Sequence, residues 1–165
     1  MPINYFELCQ YHSSQDRFGL CDDPPPESNP AYIDETNNEK WIGIVNNPEN
    51  KHVQFNAIDN CIDIRRPDNT MDSRCDGVLS YNSSIIFVEL KERAGGKWLK
   101  KGREQLTATI NRFKQESDMK EFDSVQGYVC NSLRPLSSKG QFESIQRFKD
   151  DTGYLLFGKQ EIDLK

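Results

Sequence analysis

Three residues near the middle of the chain stand out for the chemistry they could perform together. The run Ile85-Ile86-Phe87-Val88-Glu89-Leu90-Lys91 is apolar almost to its end and then closes on Glu-x-Lys. So continuous an apolar run is expected to be a strand buried on both faces, in the middle of a sheet. The two-residue period of a strand puts Glu89 and Lys91 on one face. Charges there are costly unless they are paired, liganded or open onto a cleft. Asp76 begins the preceding run, Asp76-Gly77-Val78-Leu79-Ser80-Tyr81, and Asn82-Ser83-Ser84 joins the two. Facing Cβ atoms in such a hairpin lie about 4.5–5.5 Å apart, so two carboxylates would repel unless a cation lay between them. Hard divalent cations such as Mg²⁺ take oxygen ligands, commonly one or two carboxylates with waters and phosphate oxygens. The carbonyl of Leu90 is a further candidate donor. Lys91, beside such a cation, could hold or activate an attacking water and stabilise charge building on a phosphate.

Hairpin register decides whether this set can assemble. With Asn82 and Ser83 as a two-residue turn, facing residue numbers sum to 165 and Asp76 faces Glu89. A four-residue loop raises the sum to 167 and sets Asp76 opposite Lys91, still on the side of Glu89. A three-residue loop gives 166 and throws the two carboxylates onto opposite faces, because a one-residue slip inverts every side chain. The expectation is that both carboxylates share one face.

An Asp, about a dozen residues and then Glu-x-Lys closing an apolar strand resembles the signature of the PD-(D/E)XK nuclease superfamily, which includes restriction endonucleases, Holliday junction resolvases and repair exonucleases. The resemblance covers Asp76 to about Asn131, read as strand, strand, helix, strand. It implies an α/β (α+β) fold, a restriction endonuclease-like mixed β-sheet flanked by helices. It further implies a Mg²⁺-dependent phosphodiesterase (Mn²⁺ as a substitute), with Asp76 and Glu89 as metal ligands and Lys91 as the catalytic lysine. Gln105 stands where many such proteins carry a polar residue, early in the next helix and facing the site. Cys75 occupies the place of the motif's proline. Glu35 and Glu39 are the candidates for an acidic residue ahead of the first strand. The implied partner is nucleic acid, with DNA the expected form. In so small a chain, specificity would come from a homodimer or a larger defence or repair complex. The alternative is a catalytically silent nucleic-acid-binding or assembly module on the same fold.

The elements that must position this set follow from periodicity and punctuation. Trp41 to Val45 and His52 to Ile58 read as strands, although Thr36-Asn37-Asn38-Glu39 could instead open a helix as a capping box. Arg65 to Arg74 is a polar loop. Gly102 to about Ser117 reads as a helix, with Leu106, Ile110 and Phe113 on one face. Val125 to Cys130 is a strand, Lys139 to Lys149 a helix with Phe142, Ile145 and Phe148 on one stripe, and Tyr154 to Phe157 a closing strand. Strands interleaved with helices imply a mixed sheet with helices against it. Residues 1–30, with Asp22-Asp23-Pro24-Pro25-Pro26 and Asn29-Pro30, read as an extended arm or loop, and 31–165 as a single domain.

Charge and cysteines bound the rest. Lys91 to Arg103 holds six basic residues and one acid. Lys97, Trp98, Lys100, Lys101 and Arg103 are therefore candidate nucleic-acid contacts, with Trp98 free either to stack on a base or to pack on the sheet. The net charge of −5 argues against a dedicated phosphate-gripping module, which is usually basic. Five cysteines without CxxC spacing point to reduced thiols and a cytoplasmic setting. Cys9, His12 and Cys21 lack a fourth zinc ligand, so ordinary packing is expected of them. No apolar run approaches the roughly 18 residues of a membrane span, nor does the N-terminus carry an apolar signal region.

Overall fold

The apolar run that ends on Glu89 and Lys91 is a central strand, as its composition demands. In the computed structural model, which describes residues 4–24, 26, 28–133 and 141–165, it forms β7 (Ser84–Lys91). Six strands make one sheet: β1 (Gln10–Ser13), β5 (Val53–Ala57), β6 (Gly77–Tyr81), β7, β8 (Ser124–Asn131) and β9 (Leu155–Gly158), in the order β1-β5-β6-β7-β8-β9. Neighbours from β1 to β7 run antiparallel, and β7, β8 and β9 run parallel. A second sheet has the order β10-β4-β2-β3, from β2 (Arg17–Cys21), β3 (Tyr32–Asp34), β4 (Gly43–Asn46) and β10 (Glu161–Asp163). Helix α1 (Trp98–Glu116) carries the chain from β7 to β8, and α2 (Gln141–Thr152) from β8 to β9. The architecture is mixed α and β, as expected.

β7 explains its own composition. Ile85, Phe87 and the α1 residues Leu106, Ile110 and Phe113 belong to one core, between sheet and helices. Ile86, Val88 and Leu90 belong to a second core, against Phe18, Val45 and Ile162 of the smaller sheet. A strand that feeds both cores has no solvent face, so alternation disappears from its sequence. Each buried Ile, Leu, Val or Phe contributes about 1.5–3 kcal/mol.

Several expectations are corrected. Residues 10–13 and 17–21, which read as part of an arm, are strands of the two sheets. Their alternation is too short to show beside the Pro-rich segment that follows. The competing readings around Thr36 resolve into a single 3-10 turn, Asn38–Lys40, capped by Asn37, followed by β4. α1 begins at Trp98, before Gly102. Gly102 is there for packing: a Cβ on it would lie 2.6 Å from Val129 Cγ1, so its lack of a side chain lets α1 sit close on β8. The expected start of the second helix, Lys139, lies outside the described residues. Cys9 and Cys61, 52 residues apart, form a disulfide, and Cys21, Cys75 and Cys130 are free and buried. The expectation of uniformly reduced thiols is therefore corrected, and with Cys9 bonded no zinc corner with His12 and Cys21 remains. No described helix is long and apolar enough to cross a membrane.

Candidate active site

Asn82 and Ser83 form a two-residue turn. The pairs run from Tyr81↔Ser84 to Gly77↔Val88, so the next facing pair is Asp76 and Glu89. Asn82 has φ 49°, the left-handed conformation that tight hairpin turns require. Beyond the last ladder pair the side chains take over the bonding. The Asp76 N–H donates to Glu89 Oε1 at 3.0 Å, and the Leu90 N–H donates to Asp76 Oδ2 at 2.7 Å. Asp76 and Glu89 are only 6% and 3% exposed. Glu89 shares the helix-facing side of β7 with Ile85 and Phe87, as the two-residue period requires, and Asp76 stands opposite it on that side.

Lys91 and Gln105 complete the cluster. Lys91 Nζ lies 3.1 Å from Glu89 Oε2 and donates to Gln105 Oε1 at 2.7 Å. The Gln105 Nε2 group reaches back to the Arg74 carbonyl at 3.4 Å. One turn further along α1, the buried Thr109 hydroxyl donates to the Gln105 carbonyl and accepts the Cys75 N–H at 2.8 Å. α1 therefore grips both the segment entering β6 and the end of β7, and holds Asp76, Glu89 and Lys91 in one relative position.

The electrostatics are those of charge held out of water. Burial first, then Glu89 and Asp22, pushes the Asp76 carboxyl well above the usual carboxylate range, against the Leu90 N–H. Burial raises Glu89 to about 7, with the Lys91 ammonium opposing. Two carboxyls buried side by side resist being ionised together, and a cation between them would relieve that resistance. The acid that bears on Asp76 from outside the hairpin is Asp22, just past β2, with Asp59 behind it. Asp22 itself is raised to about 6 by partial burial and by Asp59, Asp23 and Glu92. Asp59 is anchored by Arg74 Nη2 at 3.0 Å. The sequence alone does not reveal Asp22, because its acidic, Pro-rich surroundings read as a loop and only the second sheet brings it here. Glu35 instead accepts from Ser13 Oγ at 2.8 Å, and Glu39 is exposed in the 3-10 turn.

The basic segment divides. Trp98 is 7% exposed and part of the helix-side core, so its place is packing rather than base stacking. Lys97, Lys100 and Lys101 are exposed, and Arg103 is half-buried beside Glu104, 3.8 Å away. Lys97 takes the N-cap position of α1 with φ 69° and no side-chain cap, and no acid lies in the first turn. Cations at a helix N-terminus oppose its dipole, and an arriving anion would relieve them.

The donor set fits a hard divalent cation. Asp76 and Glu89 offer carboxylate oxygens on one face, at a spot where burial opposes their ionisation. Among the described residues no three His, Cys, Asp or Glu side chains are grouped to hold a metal ion. The Leu90 carbonyl, water and substrate would have to supply the other ligands, as is usual for Mg²⁺. Comparisons with protein-family models, with curated proteins and with solved structures find no match to this chain.

Proposed function

We propose that the chain is a divalent-metal-dependent nuclease domain of the PD-(D/E)XK type, acting on nucleic acid and expected to prefer DNA. The observation that carries the reading is the buried, in-register pair Asp76 and Glu89 with Lys91 held between Glu89 and Gln105. Asp76, Glu89 and the Leu90 carbonyl would hold Mg²⁺ or Mn²⁺. When bound, such an ion polarises a phosphoryl oxygen and lowers the pKa of a coordinated water. Lys91 orients the attacking water and places positive charge where the phosphorane becomes more negative. Gln105 fixes the Lys91 ammonium by accepting a hydrogen bond from it, so its direction is set before substrate arrives. Lys97, Lys100, Lys101 and Arg103 supply phosphate contacts that position the strand without reading sequence.

Cleavage of single-stranded, duplex and branched DNA and of RNA, with Mg²⁺ or Mn²⁺ against a chelator, tests the reading. Cleavage is expected with metal alone, and Lys91→Ala is expected to reduce it by about 10²-fold or more. Binding without cleavage of any form, unchanged by Lys91→Ala, would instead support a silent binding or assembly module.

A further inference from the structure

The two histidines of the chain meet far from the site at β7. In the β1–β5 pair His12 faces Gln54, so His52, two residues before Gln54, is its diagonal neighbour on the same face. His12 Nδ1 and His52 Nε2 are 3.1 Å apart. The ring centroids are 5.1 Å apart with an interplanar angle of 25°. Centroids so much farther apart than the nitrogens mean that the rings meet through those two nitrogens, edge to edge.

The neighbouring amide decides which protons are present. Gln10 Nε2 donates to the Phe6 carbonyl at 2.9 Å and the Glu7 carbonyl at 3.1 Å. That orientation leaves Gln10 Oε1, 3.3 Å from His12 Nε2, as an acceptor. A neutral His12 in this arrangement carries its proton on Nε2, and its Nδ1 presents a lone pair toward His52. In the metal-free protein His52 Nε2–H fills the gap as a donor. The arrangement is a histidine ligand with its other nitrogen already fixed by an outer acceptor, which is how proteins orient imidazoles on metals.

We infer that His12 and His52 form a chelating site for a borderline transition metal of the Zn²⁺, Cu²⁺ or Ni²⁺ class, with the ion taking the place of the proton between them. Two bonds of about 2.0–2.1 Å at a tetrahedral angle separate their nitrogens by about 3.3–3.4 Å, a few tenths of an ångström beyond the observed gap. Small ring rotations on an exposed surface supply that. Imidazole nitrogens select this class over Mg²⁺, so the site and the carboxylate pair of β7 do not compete for one ion. Its consequence is mechanical. β1 is an edge strand held at its start by the Cys9–Cys61 disulfide, and the metal would fasten its other end to the entry of β5.

The test uses the whole chain and the metals alone. Titration of the protein in excess Mg²⁺ with Zn²⁺ by calorimetry, and with Cu²⁺ followed by histidine ring proton resonances, should show one ion per chain that the histidine variants below lose, Cu²⁺ binding more tightly than Zn²⁺. Both histidine spin systems should broaden together, and the melting temperature should rise with metal concentration. His12→Ala and His52→Ala should each weaken binding at least tenfold while leaving metal-free melting unchanged, since both rings are exposed. Wild-type affinity in either variant, broadening of one histidine alone, or no binding at millimolar Zn²⁺ would overturn the assignment.

Discussion

The two ends of β7 lie under the same helix and do opposite things. At its start Ile85 and Phe87 meet Ile110 and Phe113, and the layer is dry and apolar. At its end Lys91 joins Glu89 to Gln105 under the same helix; Glu89 is buried, Lys91 and Gln105 are half-buried, and the layer is charged. Strand, helix and register are continuous between them, so the difference lies in the side chains alone. The apolar end stabilises the fold. The polar end has every group bonded and yet holds two carboxyls whose ionisation the site resists. On the proposed reading this is a site prepared for a cation, and it would cost stability until a cation arrived.

Removing a group from the apolar end should produce the largest effect on the fold. Phe113 has ring contacts with Tyr5, Phe6, Phe87 and Phe122, the centroids 5.1 to 6.0 Å apart. Phe113→Ala should lower unfolding free energy by about 3–5 kcal/mol, measured by chemical denaturation. At the polar end Lys91→Ala should spare most of the stability and lower cleavage by about 10²-fold or more. Equal losses of stability from the two variants would erase the contrast.

Acidity sharpens the same comparison. The folded-state pKa values of Asp76 and Glu89 lie above those of the unfolded chain. The folded protein therefore holds more protons from about pH 4, where free carboxyls titrate, up to about 7, where Glu89 does. Stability of the metal-free protein should fall as pH rises through that window, with Glu89 alone contributing roughly 3 kcal/mol. Denaturation curves at several pH values, run in a chelator, measure it. A rise in stability across the window would mean that the pair is ionised and content without a metal.

The smallest expected change is at the N-terminus of α1. Replacing Lys97, Lys100 and Lys101 by Gln together should flatten the salt dependence of nucleic-acid binding by about two to three units of slope in log K against log salt. A fluorescence anisotropy titration at several salt concentrations reads this slope. An unchanged slope would leave these lysines as solvated surface.

Local pattern makes the centre of the site legible. Period two places Glu89 and Lys91 together, the two-residue turn at Asn82 and Ser83 selects among the registers the sequence leaves open and brings Asp76 opposite Glu89, and Gln105 stands out only through its place in the family resemblance. What stays hidden depends on contacts between distant segments. Asp22 bears on the charge of Asp76 from the end of β2, which pairs with β4 in the second sheet, and a Pro-rich flank masks that strand. The Cys9–Cys61 bond likewise joins two loops that spacing alone cannot pair. Gly102 reads as a helix boundary because its close approach to Val129 leaves no trace in sequence.

The central claim is that Asp76 and Glu89 wait for a divalent cation, and Asp76→Asn tests it most directly. The substituted amide would keep the shape and accept the Leu90 N–H, as Asp76 does, while removing one ligand charge. Melting temperatures at pH 8, with and without Mg²⁺ or Mn²⁺, give the readout. A metal-dependent rise is expected for the wild type, and for Asp76→Asn a metal-free stability at or above wild type with no response to metal. An equal metal response in both proteins, or a variant much less stable than the metal-free wild type, would contradict it.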